Sequence, residues 1–200
     1  MIHPIETESY RILEARVDLS HLDPGPRAVV QRVIHASADP EYATSTIVDA
    51  ATVDAGVGAL RAGAPVLCDV EMVRSGIRGV ETKCFLTDAP ATEQRGETRA
   101  AIGMRAAALA HPTGAVVVVG CAPTALDEAL TLADRGVFEP ALVIGMPVGF
   151  VGAAESKARL RASKLPAISN VGEKGGSAVA AAAVNALVRL VATSSEGNAS

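Results

Sequence analysis

The most constraining feature of this chain is a set of short, unbroken apolar runs rich in β-branched residues. AVVVVG spans 115–120, ALVIG spans 141–145, and APVLCD at 64–69 ends in an acid. PAISN at 166–170 is weaker, and residues 80–86 supply a fifth run. Strands with one wet face alternate polar and apolar residues, whereas unbroken runs suit strands buried on both faces of a parallel sheet. Alanine-rich helical stretches separate the runs at 97–110, 124–135, 152–161 and 177–191. That rhythm predicts an α/β three-layer α/β/α sandwich around a mostly parallel, roughly five-stranded sheet with right-handed crossovers. An extra helical N-terminal segment precedes it. One helix covers 5–17, a second runs from a cap at Asp23-Pro24 to about residue 36, and a third lies within 46–61.

Composition narrows the class. The 200 residues fit one domain, read as 1–192, with a small polar tail at 193–200 read as disordered. A net charge of −4 argues against a nucleic-acid partner. Two tyrosines, three phenylalanines and no tryptophan cannot make a stacking platform for single strands. The three cysteines have no C-x-x-C spacing and read as reduced core thiols. The first ten residues, MIHPIETESY, lack the charged and apolar regions of a secretory leader, and no apolar run reaches the ~20 residues of a membrane helix. The expectation is a cytoplasmic protein with no membrane partner.

In open α/β folds ligands bind beyond the carboxyl ends of the strands. The loops to inspect therefore begin at Asp69, Gly120, Gly145 and Asn170, and the glycine-containing ones run into helix starts whose N–H groups can hold anions. No Walker loop, dinucleotide fingerprint, G-x-S-x-G elbow or H-E-x-x-H is present, so no metal and no nucleotide cofactor is expected. Among the histidines, His3, His21 and His111 sit at helix boundaries. His35 differs. On its helix Val29, Val30, Val33 and Ile34 form the apolar stripe, and Ala28, Arg32 and His35 share the opposite side. A guanidinium beside an imidazole disfavours the cationic ring and can also hold a substrate carboxylate. The same pattern suits a plain solvated helix face. Glu155 and Lys157 read as surface charge, and the alanine run at 178–186 as either core or a dimer seam.

Several strings then follow in order: VIHA at 33–36, GAPVLCDVEMV at 63–73, Thr98-Arg99, CAPTAL at 121–126, GMPVGFVGAAESK at 145–157, GGS at 175–177 and NAL at 185–187. Together they resemble the precorrin-8X methylmutase family, the corrin-ring isomerases of cobalamin biosynthesis, over about residues 5–190. The family usually has Asn where this chain has Cys121.

The resemblance implies a methyl migration from C11 to C12 of the ring, giving hydrogenobyrinate without a cofactor. It implies His35 as proton donor and acceptor, with Ser9, Arg32 and Arg99 as substrate-binding residues. It also implies a precorrin-8X tetrapyrrole as the small-molecule partner, and a homodimer with the site near the interface. Such a shift needs no nucleophile, metal or hydride, only a proton moved on and off the π-system and a ring held in place. The substrate carries many carboxylates, so Arg32, Arg74, Arg99 and the glycine loops are expected to form a local positive cleft on an acidic protein. A non-catalytic corrinoid-binding or channelling protein is the alternative, and a nucleotide-binding α/β enzyme a third class. Whether the substrate is metal-free or carries cobalt stays open.

Overall fold

A computed structural model describes residues 3–87 and 96–196. The chain opens with helices α1 (Pro4–Arg16), α2 (Pro24–Ser37) and the short α3 (Tyr42–Ser45). Strand β1 (Thr46–Ile47) and helix α4 (Ala50–Arg61) lead into the alternating part: β2 (Val66–Cys68), α5 (Glu71–Gly76), β3 (Thr82–Cys84), α6 (Arg99–Ala110), β4 (Val116–Val119) and α7 (Pro123–Asp134). It closes with β5 (Leu142–Gly145), α8 (Ala153–Ala162), β6 (Ala167–Asn170) and α9 (Ser177–Glu196). The sheet order is β1-β6-β5-β4-β2-β3, parallel throughout except for β1, which runs antiparallel to β6 with Thr46 opposite Asn170.

The sandwich and its parallel sheet are as the apolar runs predict. The sheet has six strands rather than roughly five. The extra strand is β1, two residues that carry no unbroken apolar run and lie inside the 46–61 stretch expected to hold a helix. That helix starts at Ala50 instead, where the Asp49 carboxylate accepts from the Thr52 N–H at 2.7 Å. Asp23 precedes α2 but makes no capping bond with its side chain, so Pro24 with its fixed φ sets that start. Helix α9 reaches Glu196, and residues 197–200 of the tail lie outside the described residues.

Each central strand contributes alternate residues to two cores. Cys68, Val116, Val118, Leu142 and Ile144 face a layer made by α2, α4, α5 and α9, against which α1 also packs. Leu67, Val117, Val119 and Val143 face α6, α7 and α8. The alanine run of α9 is core after its first residue: Ala178 is exposed, and Ala180, Ala181, Ala182, Ala183 and Ala186 are all buried. Of the cysteines, only Cys68 is in the core as read; Cys84 is half-buried, and Cys121, on the loop after β4, is exposed.

Candidate active site

The carboxyl ends of the parallel strands form one rim, and α6, α7, α8 and α9 begin there because each follows a strand. Helix α2 ends there too, since its C-terminal segment is tied to the loop before α9: the Lys174 ammonium donates to Asp39 at 2.7 Å and Glu41 at 2.6 Å. His35 sits in the last turn of α2, one turn before Ala38, whose φ of 54° stops the helix.

The amphipathic face of α2 places His35 as its spacing predicts. Val29, Val30, Val33 and Ile34 are buried, which turns the imidazole toward α1. Residues of α1 and α2, including Ile5, Ser9, Ile12, Ile34 and His35, line a cleft of about 350 Å³. Ser9 Oγ lies 2.7 Å from His35 Nδ1. The Tyr10 ring stacks on the imidazole at a centroid separation of 5.2 Å and an interplanar angle of 22°. A hydrogen bond at one nitrogen and a stacked face together fix the ring plane.

Charge around this ring is set by three residues from three helices. Glu6 on α1 pairs with Arg32, and Arg189 on α9 reaches the same carboxylate at 2.6 Å. Arg32 also lies 3.4 Å from the Tyr10 hydroxyl. Burial holds the His35 pKa below its usual 6.5, Arg32 and Arg189 push the same way, and Glu6 opposes them. The arginine pair in turn holds the Glu6 carboxyl below the usual range. Sequence reasoning misses Tyr10, Glu6 and Arg189; the local signal for the first two is that Glu6 lies three residues before Ser9 and four before Tyr10 on α1, and Arg189 on α9 has none.

Ser9, Arg32 and His35 are thus brought together, though Arg32 is engaged by Glu6 rather than open to the cleft. Arg99 is placed elsewhere. It is the first residue of α6, on the other layer of the sheet, and its guanidinium donates to the Leu86 carbonyl at 3.2 Å. Arg74 pairs with Glu71 at 3.1 Å and does not line the His35 cleft.

The loops at the rim are tied down by two buried charges. The Asp69 carboxylate accepts from the N–H groups of Gly120, Cys121 and Ala122 at 3.2, 2.8 and 2.8 Å. Sheet order reverses between β2 and β4, the usual ligand crevice of such folds, and here an internal carboxylate takes the amides that a bound anion would use. Lys157, read as surface charge, is fully buried on α8. Burial, with Arg161 nearby, lowers its pKa to about 8. Among the described residues no cluster of His, Cys, Asp and Glu could hold a metal ion, and no helix is long and apolar enough to cross a membrane.

Comparison with known proteins places the chain in a family. The family profile described as precorrin-8X methylmutase matches residues 4–190. A cobalt-precorrin-8 methylmutase from Methanothermobacter thermautotrophicus is 45% identical over 86% of this chain and 84% of its own. A precorrin-8X methylmutase from Pseudomonas aeruginosa is 39% identical over 92% of this chain and 93% of its own. The crystal structure of a precorrin-8X methylmutase from Thermus thermophilus superposes with a TM-score of 0.84 at 37% identity, covering 95% of this chain and 96% of that one. The chain belongs to the precorrin-8X methylmutase family, a family of isomerases.

Proposed function

We propose that the protein converts precorrin-8X to hydrogenobyrinate by moving the methyl group at C11 of the ring to C12. One carbon–carbon bond breaks as its neighbour forms, and a proton is exchanged with the ring π-system. His35 exchanges that proton. The observation that carries this reading is the 2.7 Å contact between Ser9 Oγ and His35 Nδ1 beside the cleft. It fixes the ring and leaves Nε2 for transfer. A pKa held below 6.5 keeps the imidazole neutral and able to accept a proton at neutral pH.

Substrate carboxylates are held at the rim. Arg32 and Arg189 face a single carboxylate, Glu6, which leaves a net positive charge beside His35. Ser9 binds the ring on this side, Arg32 joins it once a substrate carboxylate replaces Glu6 against its guanidinium, and Arg99 clamps a further carboxylate at the start of α6. The loop after β5 presents Phe150 and Val151, 90% and 88% exposed, to an apolar macrocycle or to a second subunit. A homodimer in the cytoplasm is part of the proposal.

The visible spectrum tests it. Purified protein added to precorrin-8X should give the hydrogenobyrinate spectrum, and His35→Ala should slow turnover by about 10²–10⁴-fold, the usual worth of a positioned acid–base group. Because relatives carry both names, the cobalt-bearing substrate is assayed in parallel. Product binding without conversion of either substrate would make the protein a carrier. Wild-type turnover in His35→Ala would remove His35 from the chemistry.

A further inference from the structure

Lys157 is a buried cation, and among the described residues no acid pairs with it. Its ammonium donates to Asn170 Oδ1 at 3.3 Å and to the Lys174 carbonyl at 2.5 Å, and Asn170 Nδ2 donates to the same carbonyl at 2.7 Å. Both side chains are fully buried. A charge kept inside a protein without an opposite charge costs stability, so its position calls for an explanation other than fold strength.

The explanation lies in what the Lys174 residue does at its other end. Its backbone carbonyl is held from below by Lys157 and Asn170. Its side chain reaches across the surface to Asp39 and Glu41, in the segment that directly follows His35. Ala38 and Pro40 of that segment line the His35 cleft. The 171–176 loop is also locked against the loop after β5, with Gly149 N–H on the Glu173 carbonyl at 3.1 Å and Gly176 N–H on the Met146 carbonyl at 2.9 Å. A side chain at Gly175 would put Cβ 2.3 Å from the Met146 carbonyl oxygen, so the two loops meet in one register.

We propose that Lys157 and Lys174 are positioning residues for the reaction: Lys157 seats the 171–176 loop, and from that seat the Lys174 ammonium fixes the end of α2 and with it the placement of His35 against the ring. The proposal rests on His35 as the proton carrier.

The test compares Lys157→Met, Lys174→Met, the double variant and Lys174→Arg, each shown to be folded by circular dichroism. In both single Met variants kcat should fall about tenfold with KM little changed, because a displacement well under 1 Å is enough for such a loss. The double variant should be no slower than the worse single one, since both substitutions break one strut. Lys174→Arg, which keeps a cation for Asp39 and Glu41, should restore most of kcat. Wild-type kcat in folded Lys174→Met, or losses that multiply in the double variant, would overturn the strut. Should Lys157→Met not fold, Lys174→Met alone decides. The His35 ring resonances in the substrate-free protein separate this proposal from the functional reading. They should move in folded Lys174→Met, and unmoved resonances refute the strut whatever His35→Ala does to turnover.

Discussion

The His35 cleft and the buried anchors at the strand ends use polar groups in opposite ways. Ser9 and His35 in the cleft, and Tyr10 and Arg32 beside it, are half-buried side chains on the surfaces of two helices, and their contacts are side chain to side chain. At the strand ends, Asp69 and Lys157 are buried, and they bind mainly the backbone of loops. The first arrangement can exchange protons because water and ligand reach it. The second fixes loop geometry because nothing else can satisfy the groups it holds. Chemistry and rigidity are thus assigned to different residues, and substitutions should separate them.

The largest effect on stability should come from Asp69→Ala. Three amide N–H groups lose their acceptor, two of them in the first turn leading to α7. Only the Gly120 bond is buried, and water takes up part of the loss at the other two, so the net loss should be about 1–3 kcal/mol. Urea unfolding measures it as a lower midpoint at an unchanged slope. His35→Ala, by contrast, should unfold close to the wild-type midpoint while losing turnover. A variant of Asp69 as stable as wild type would end the distinction between the two regions.

That distinction also explains what could be seen in the sequence. The strands were legible because VVVV and LVIG are unbroken runs, and His35 because its helix has a clear apolar stripe on the other side. Ser9 came from resemblance, not from spacing. Strand β1 was missed because two residues give no period, and its pairing with β6 depends on a partner more than a hundred residues away. Lys157 was misread because burial on α8 is decided by Asn170 and the Lys174 carbonyl, both brought by later segments. The expected positive cleft of Arg32, Arg74 and Arg99 assumed open guanidinia. Glu71 engages Arg74 three residues on within α5, a spacing the sequence does carry, whereas Glu6 engages Arg32 across two helices, which leaves no signature in local sequence.

Smaller effects should follow from pH. His35 has its pKa lowered in the folded protein, first by burial and then by Arg32. The unfolded chain therefore binds this proton more tightly, and the group adds nothing to stability differences above about pH 6.5. As pH falls through that value the folded state loses ground, until the folded pKa is passed. Turnover that needs the neutral ring should fall in the same direction, with its acid limb below the ordinary histidine value. A pH–rate profile with its acid limb above pH 7 would contradict a neutral proton acceptor.

The finest test removes one charge at a time beside that ring. Arg189→Met takes away a cation that disfavours imidazolium, so the acid limb should move to higher pH. Glu6→Gln takes away the anion that favours it, so the limb should move to lower pH. Each shift should stay within about one pH unit, because the groups are partly exposed and screened. Asp69→Asn, which touches the loop after β4 and is not among the groups acting on His35, should leave the limb in place while lowering the melting temperature. Shifts of the same sign in Arg189→Met and Glu6→Gln would mean that both act by loosening α1, not by their charges. The Ser9 contact, lost in either case, would then be the common cause.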